Sequence, residues 1–120
     1  MKRTTEQKQA ARGAEFMDRK RPGWHNEIDL ALLNIECGVH CILGQIYHDY
    51  GDGTHHIGIN ENQERQYNLG FMATPINKTE KYRQLTAAWK MEIRMRRIRV
   101  AQTIIKPKRS AIKIASPTQS

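Results

Sequence analysis

Long apolar runs are missing from this chain: only 38% of its 120 residues are apolar, and the mean hydropathy is −0.74. No stretch approaches the roughly 20 apolar residues that a membrane-spanning helix requires. The polar start from Met1 to Gln9 lacks the apolar centre of a secretory signal. The sequence thus reads as a soluble protein with no membrane contact, and the cytoplasm is its expected compartment. Cysteine is scarce as well: Cys37 and Cys41 are the two present, and one close pair does not make a disulfide framework. Stability has to come from packing. The G-x-x-x-x-G-K-[ST], G-x-G-x-x-G and H-E-x-x-H patterns that bind phosphate, dinucleotide or zinc are absent. The length allows one domain and not two independent cores.

Acidic residues are also in deficit. Twelve Asp and Glu face twenty Lys and Arg, for a net charge of +8, and the excess is uneven. Residues 1–25 carry a net +4, residues 26–79 a net −5, and residues 80–120 a net +9. Basic ends around a mildly acidic middle fit a folded centre whose termini approach a polyanion, because clustered Lys and Arg neutralise phosphates and release their counterions. Solubility is the plainer use of the same charge.

Helical spacing dominates the pattern. Thr4 and Gln7 form a capping-box signal, and Ala10, Gly13, Ala14 and Met17 then recur on one face, predicting a helix over about 5–20 that Pro22 stops. Arg21-Pro22-Gly23-Trp24 reads as a turn with Trp24 as a core anchor. Residues 28–35 alternate like a strand, yet Asp29 can cap a helical turn, and the reading favours helix. Val39, Ile42, Leu43, Ile46, Tyr47 and Tyr50 predict a buried-face helix over 39–50, closed by Gly51-Asp52-Gly53. Asn60 with Gln63, and Gly70 after Leu69, bracket a short helix over about 61–69, with Phe71 turning inward. Asn77 with Glu80 opens the last helix, which runs to about 105 before Pro107 ends it. The expected architecture is mainly α: a single helical domain over 1–105 with a flexible basic tail over 106–120.

That last helix has three faces when wound at about 100° per residue. Tyr82, Leu85, Trp89, Ile93, Val100 and Ile104 make a core stripe. Arg83, Lys90, Arg94 and Arg97 make a basic ridge, which with Lys106, Lys108 and Arg109 forms the candidate track for nucleic acid or another anionic partner. Met91, Met95 and Ile98 fall on the side away from the stripe. They either pack on the N-terminal helix or form a Met-rich contact surface for another protein. No aromatic residues interleave with the ridge as a stacking platform would, and no helix-turn-helix, zinc-finger or RRM signature is present. Any nucleic-acid contact is therefore expected to be to phosphate and to weaken with salt.

The cluster Cys37, His40, Cys41, His48, His55 and His56 has the composition of a metal or nucleophile site but not the spacing. C-x2-C pairing is missing, and neither Cys37 with His40 nor Cys41 with His48 has an orienting third group or an oxyanion-hole glycine motif. Asp49-Tyr50-Gly51-Asp52-Gly53 lacks the alternating acids and closing Glu of a calcium loop. The expectation is no catalytic residue, no metal and no cofactor.

Several fragments, in order, resemble a group of small uncharacterised proteins of actinobacterial phages and prophages. They are Gly13-Ala14 with Met17-Asp18, Arg21-Pro22-Gly23-Trp24, Ile28-Asp29, Cys41-Ile42-Leu43-Gly44-Gln45, Gly70-Phe71, and Leu85 with Trp89, Ile93, Arg96 and Arg97, spanning about residues 11–98. Two departures stand out: the group often has glycine where this chain has His48, and the Lys-rich tail is an addition. The resemblance brings no activity. It implies a gene carried on a mobile element and a non-enzymatic accessory protein acting by binding. Nucleic acid or a nucleic-acid-bearing host complex is the first expected partner. A host defence or regulatory protein, such as a CRISPR effector that the chain would inhibit, is the second, and a virion structural role is the third.

Overall fold

Thr4 opens the first helix through the box its sequence encodes: its hydroxyl accepts the Gln7 N–H at 3.1 Å, and the Gln7 side chain accepts the Thr4 N–H at 2.9 Å. The computed structural model describes residues 2–105, with side chains through Ala101. The expected tail, including Lys106, Lys108 and Arg109, and the side chain of Ile104 lie outside the described residues. Within them the chain is helical, with no strand. The elements are α1 (Thr5–Lys20), a 3₁₀ turn (Trp24–Glu27), α2 (Ile42–Tyr47), α3 (Tyr50–Ile57), α4 (Gln63–Asn68) and the long α5 (Lys78–Ile105).

The core forms where α1 lies on α5. Ala10, Gly13, Ala14 and Met17, the face read from spacing, are all buried, together with Phe16. The two helices run in the same direction, with Gly13 against Trp89 and Asp18 against Arg96. Gly13 leaves no room for a side chain: a Cβ there would stand 2.0 Å from the Leu69 carbonyl oxygen and 2.6 Å from the Trp89 ring. Only glycine fits there. Trp24 and Trp89 meet edge to face at 5.7 Å, and Phe71 stacks on Trp89 at 5.3 Å. Each indole N–H has a partner: Trp24 donates to Asp18 at 2.8 Å, and Trp89 to the Gly70 carbonyl at 2.7 Å.

Three expectations are corrected. Residues 28–35 are turns and not helix, because the Asp29 carboxylate accepts the Ala31 N–H at 2.9 Å as a local turn, and Gln45 takes the Asp29 N–H at 2.7 Å. The helix expected over 39–50 is two. Cys41 caps α2 with its sulfur, accepting the Gly44 N–H at 3.2 Å, so Val39 is left outside and exposed. At His48 the backbone turns to φ 94°, and Asp49 caps a new helix, α3, that includes Gly51-Asp52-Gly53. Ile42 and Leu43 are buried as expected, and Tyr50 still reaches inward, its hydroxyl donating to Gln66 at 2.7 Å. The cap of α4 is Asn62 and not Asn60, with the Arg65 N–H at 3.0 Å from its side chain.

Tyr82 is half-buried in the core stripe and Leu85, Trp89 and Ile93 are fully buried, but Val100 is 40% exposed. The reason is length: α1 ends at Lys20, near the level of Arg97, so the last two turns of α5 have no α1 surface to cover them.

Candidate binding face on the last helix

The basic ridge does not survive as one track. Arg97 turns back onto the turn after α1, donating to the His25 carbonyl at 2.7 Å and 3.2 Å and to the Ile28 carbonyl at 2.5 Å. Its guanidinium satisfies carbonyls that no helix pairs, which removes it from the candidate contact set. Arg83 is exposed and forms an ion pair with Glu80 on its own helix, which holds that carboxyl below its usual range. Lys90 and Arg94 remain, the first half-buried and the second exposed. Among the described residues neither has an ion-pair partner.

Arg96, which the helix-face reading assigned to neither stripe nor ridge, carries a buried network. It donates to Asp18 at 2.9 Å and to Glu92 at 2.8 Å, and its guanidinium lies 5.9 Å from the centre of the Trp24 ring. Burial by itself would raise the Asp18 carboxyl, but hydrogen bonds from Arg96 and Trp24 outweigh it and hold the group below its ordinary value. The network ties the end of α1 to α5.

Outside it lie the three apolar residues. Met91 is 54% exposed and Ile98 56%, while Met95 is half-buried. Packing on the N-terminal helix therefore takes up only part of the group. Between the N-terminal segment and α5 runs a groove of about 510 Å³ whose floor includes Ala87, Ala88, Met91 and Met95, and whose side carries Lys2 and Arg3. Spacing along α5 carries no sign that Lys2 and Arg3 stand beside the methionines, since that depends on the parallel seating of α1.

The Cys and His residues do not converge. Cys37 Sγ lies 3.5 Å from His40 Nδ1, but the Cys41 thiol faces inward as a helix cap, and burial pushes its pKa up. Among the described residues the side chains close enough to share an ion are His48, Asp49 and Asp52, with ligand atoms within 4.8 Å of one another and all of them at least partly exposed. His56 stacks on Tyr47 at 4.8 Å. No helix among the described residues is long and apolar enough to cross a membrane.

No family model, curated protein or solved structure matches the chain.

Proposed function

We propose that this protein acts by binding a macromolecular partner, and that its contact surface is the outward face of α5, where Met91 and Ile98 stand exposed beside Arg94 and Lys90. The observation that carries this reading is the exposure of two large apolar side chains beside Lys90 and Arg94, which have no ion-pair partner among the described residues. Isolated apolar residues on a surface are ordinary, but a groove-bordered group with a charged margin matches the anatomy of an interface, an apolar centre inside a polar rim. Met side chains adapt to a partner's shape at low cost. A protein component of a host assembly fits this surface better than bare nucleic acid. The resemblance to phage-borne proteins points to a defence or regulatory complex as the class of assembly.

Phosphate contact is the second reading. Lys90 and Arg94, with Lys106, Lys108 and Arg109 beyond the described residues, would supply the charge, and the net +8 favours it. A photo-reactive phenylalanine analogue at position 98, activated in the host cell, separates the two. The first reading predicts a crosslinked polypeptide that persists after nuclease treatment. A crosslink that nuclease removes would transfer the case to the second.

A further inference from the structure

We infer that the occupant of the α5 face is an acidic amphipathic helix of a partner protein, lying along α5 from about Gln84 to Ile98. The inference rests on the binding reading above and specifies its chemistry. Its first basis is spacing. Ala88, Met91, Met95 and Ile98 follow one another at intervals of three, four and three, the seam one helix offers to another. Winding at about 100° per residue puts all four within an arc of about 80°, centred away from Trp89; Ala88 at its inner edge is buried in the core, Met95 is half-buried, and Met91 and Ile98 are exposed. From Ala88 to Ile98 the seam is about 15 Å long by helix rise, and about 21 Å counted from Gln84, where the groove begins, room for about three to four turns of a partner helix. The groove beside it, about 510 Å³, leaves space for side chains at the Gln84 to Met95 end.

The second basis is charge. Lys2 and Arg3 stand on one margin of the seam, and Arg94 and Lys90 follow on the other. Glu92 is the one carboxylate lining the groove, and Arg96 holds it at 2.8 Å. Glu80, one turn before the seam, is likewise held by Arg83 and Gln84. The margins thus present positive charge with their own acids already neutralised. A helix with an apolar seam and Asp or Glu beside it meets this pattern, and a basic helix is repelled by it. The same charge opposes a second copy of this chain, whose seam would bring Arg94 and Lys90 towards their own counterparts.

The test is selection from a displayed library of 20-residue amphipathic helices whose seam-flanking positions sample Glu, Lys and Gln equally, with the full-length protein as bait. Helices enriched in Glu are expected, with their binding weakened at least tenfold by Ile98→Lys and several-fold by Arg94→Glu. Because Ile98 and Arg94 are exposed, both variants should keep the wild-type circular dichroism and melting curve, which confirms that any loss is local. Enrichment without charge bias, enrichment of Lys, no enrichment above an empty-bait control, or unchanged binding to Ile98→Lys would each overturn the inference. So would a concentration-dependent dimer of the free protein, abolished by Ile98→Lys. Failure here with a nuclease-resistant polypeptide still crosslinked at position 98 would reject the acidic helix and leave the binding face standing. Loss of that crosslink would reject the face itself.

Discussion

Replacing Arg96 by Met tests the frame on which the proposed binding face is mounted. The side chains of Arg96 and Glu92 are each about 10% exposed, and Asp18, the other carboxylate in the network, is 44% exposed. Methionine keeps much of the bulk against Trp24 but removes the charge. Asp18 is open enough for water to solvate it, so its loss is small. Glu92 is not, and a buried carboxylate stripped of its cation costs about 3–5 kcal/mol. For a domain of this size each kcal/mol lowers the melting temperature by about 4–8 °C, so Arg96→Met should melt about 12–40 °C below wild type. Urea denaturation followed by far-ultraviolet circular dichroism at neutral pH gives the free energy directly. The decisive arm is the double variant Arg96→Met with Glu92→Met. With both charges gone and the volume filled, stability should return to within about 1.5 kcal/mol of wild type. The reasoning is refuted if Arg96→Met costs under about 1 kcal/mol, or if the double variant is no more stable than the single one.

Other outcomes follow from individual contacts. Gly13→Ala should destabilise by about 3 kcal/mol or more in the same urea assay, since the overlap with Leu69 and Trp89 outweighs the roughly 1 kcal/mol that alanine gains in a helix. His48→Gly should raise the unfolding free energy by about 1 kcal/mol, because φ 94° strains any residue with a Cβ. Burial pushes the His25 imidazole below its usual 6.5, with Asp18 opposing and Arg96 and Arg97 reinforcing, and its Nδ1 has no hydrogen-bond partner. The unfolded chain then takes up the proton first, so stability should fall as pH drops through about 6.5, and His25→Phe should flatten that part of the urea-midpoint profile. Asp18 acts at lower pH. Its depressed folded-state value gives a contribution present above its ordinary 3.8 and lost as pH falls further, a loss that Asp18→Asn should remove from the profile.

Local chemistry made much of this fold legible. The Thr4 and Gln7 box set the start of α1, the face through Met17 gave its buried side, and Trp24, Leu85, Trp89 and Ile93 were readable as core. Two kinds of feature were not. The break at His48 leaves the apolar spacing intact, so periodicity runs straight through it; it is made by a positive φ at His48 and an aspartate that caps a new helix one residue later. The fate of each arginine was the other gap. Arg94 and Arg97 share a face of α5, yet one is exposed and the other spends its guanidinium on carbonyls of His25 and Ile28, about seventy residues earlier in the chain. Helix winding gives direction, but only the placement of a distant turn decides which cation has a use inside the fold.

The central claim is that the outward face of α5 binds and does not support the core. Ile98→Lys measures both at once, through its unfolding free energy and its capture of the partner crosslinked in the host, with the photo-reactive residue moved to position 91. The account predicts stability within about 0.5 kcal/mol of wild type, as for ordinary surface changes, together with at least a tenfold loss of partner. A loss of 2 kcal/mol or more in stability, or full capture of the partner, would contradict it.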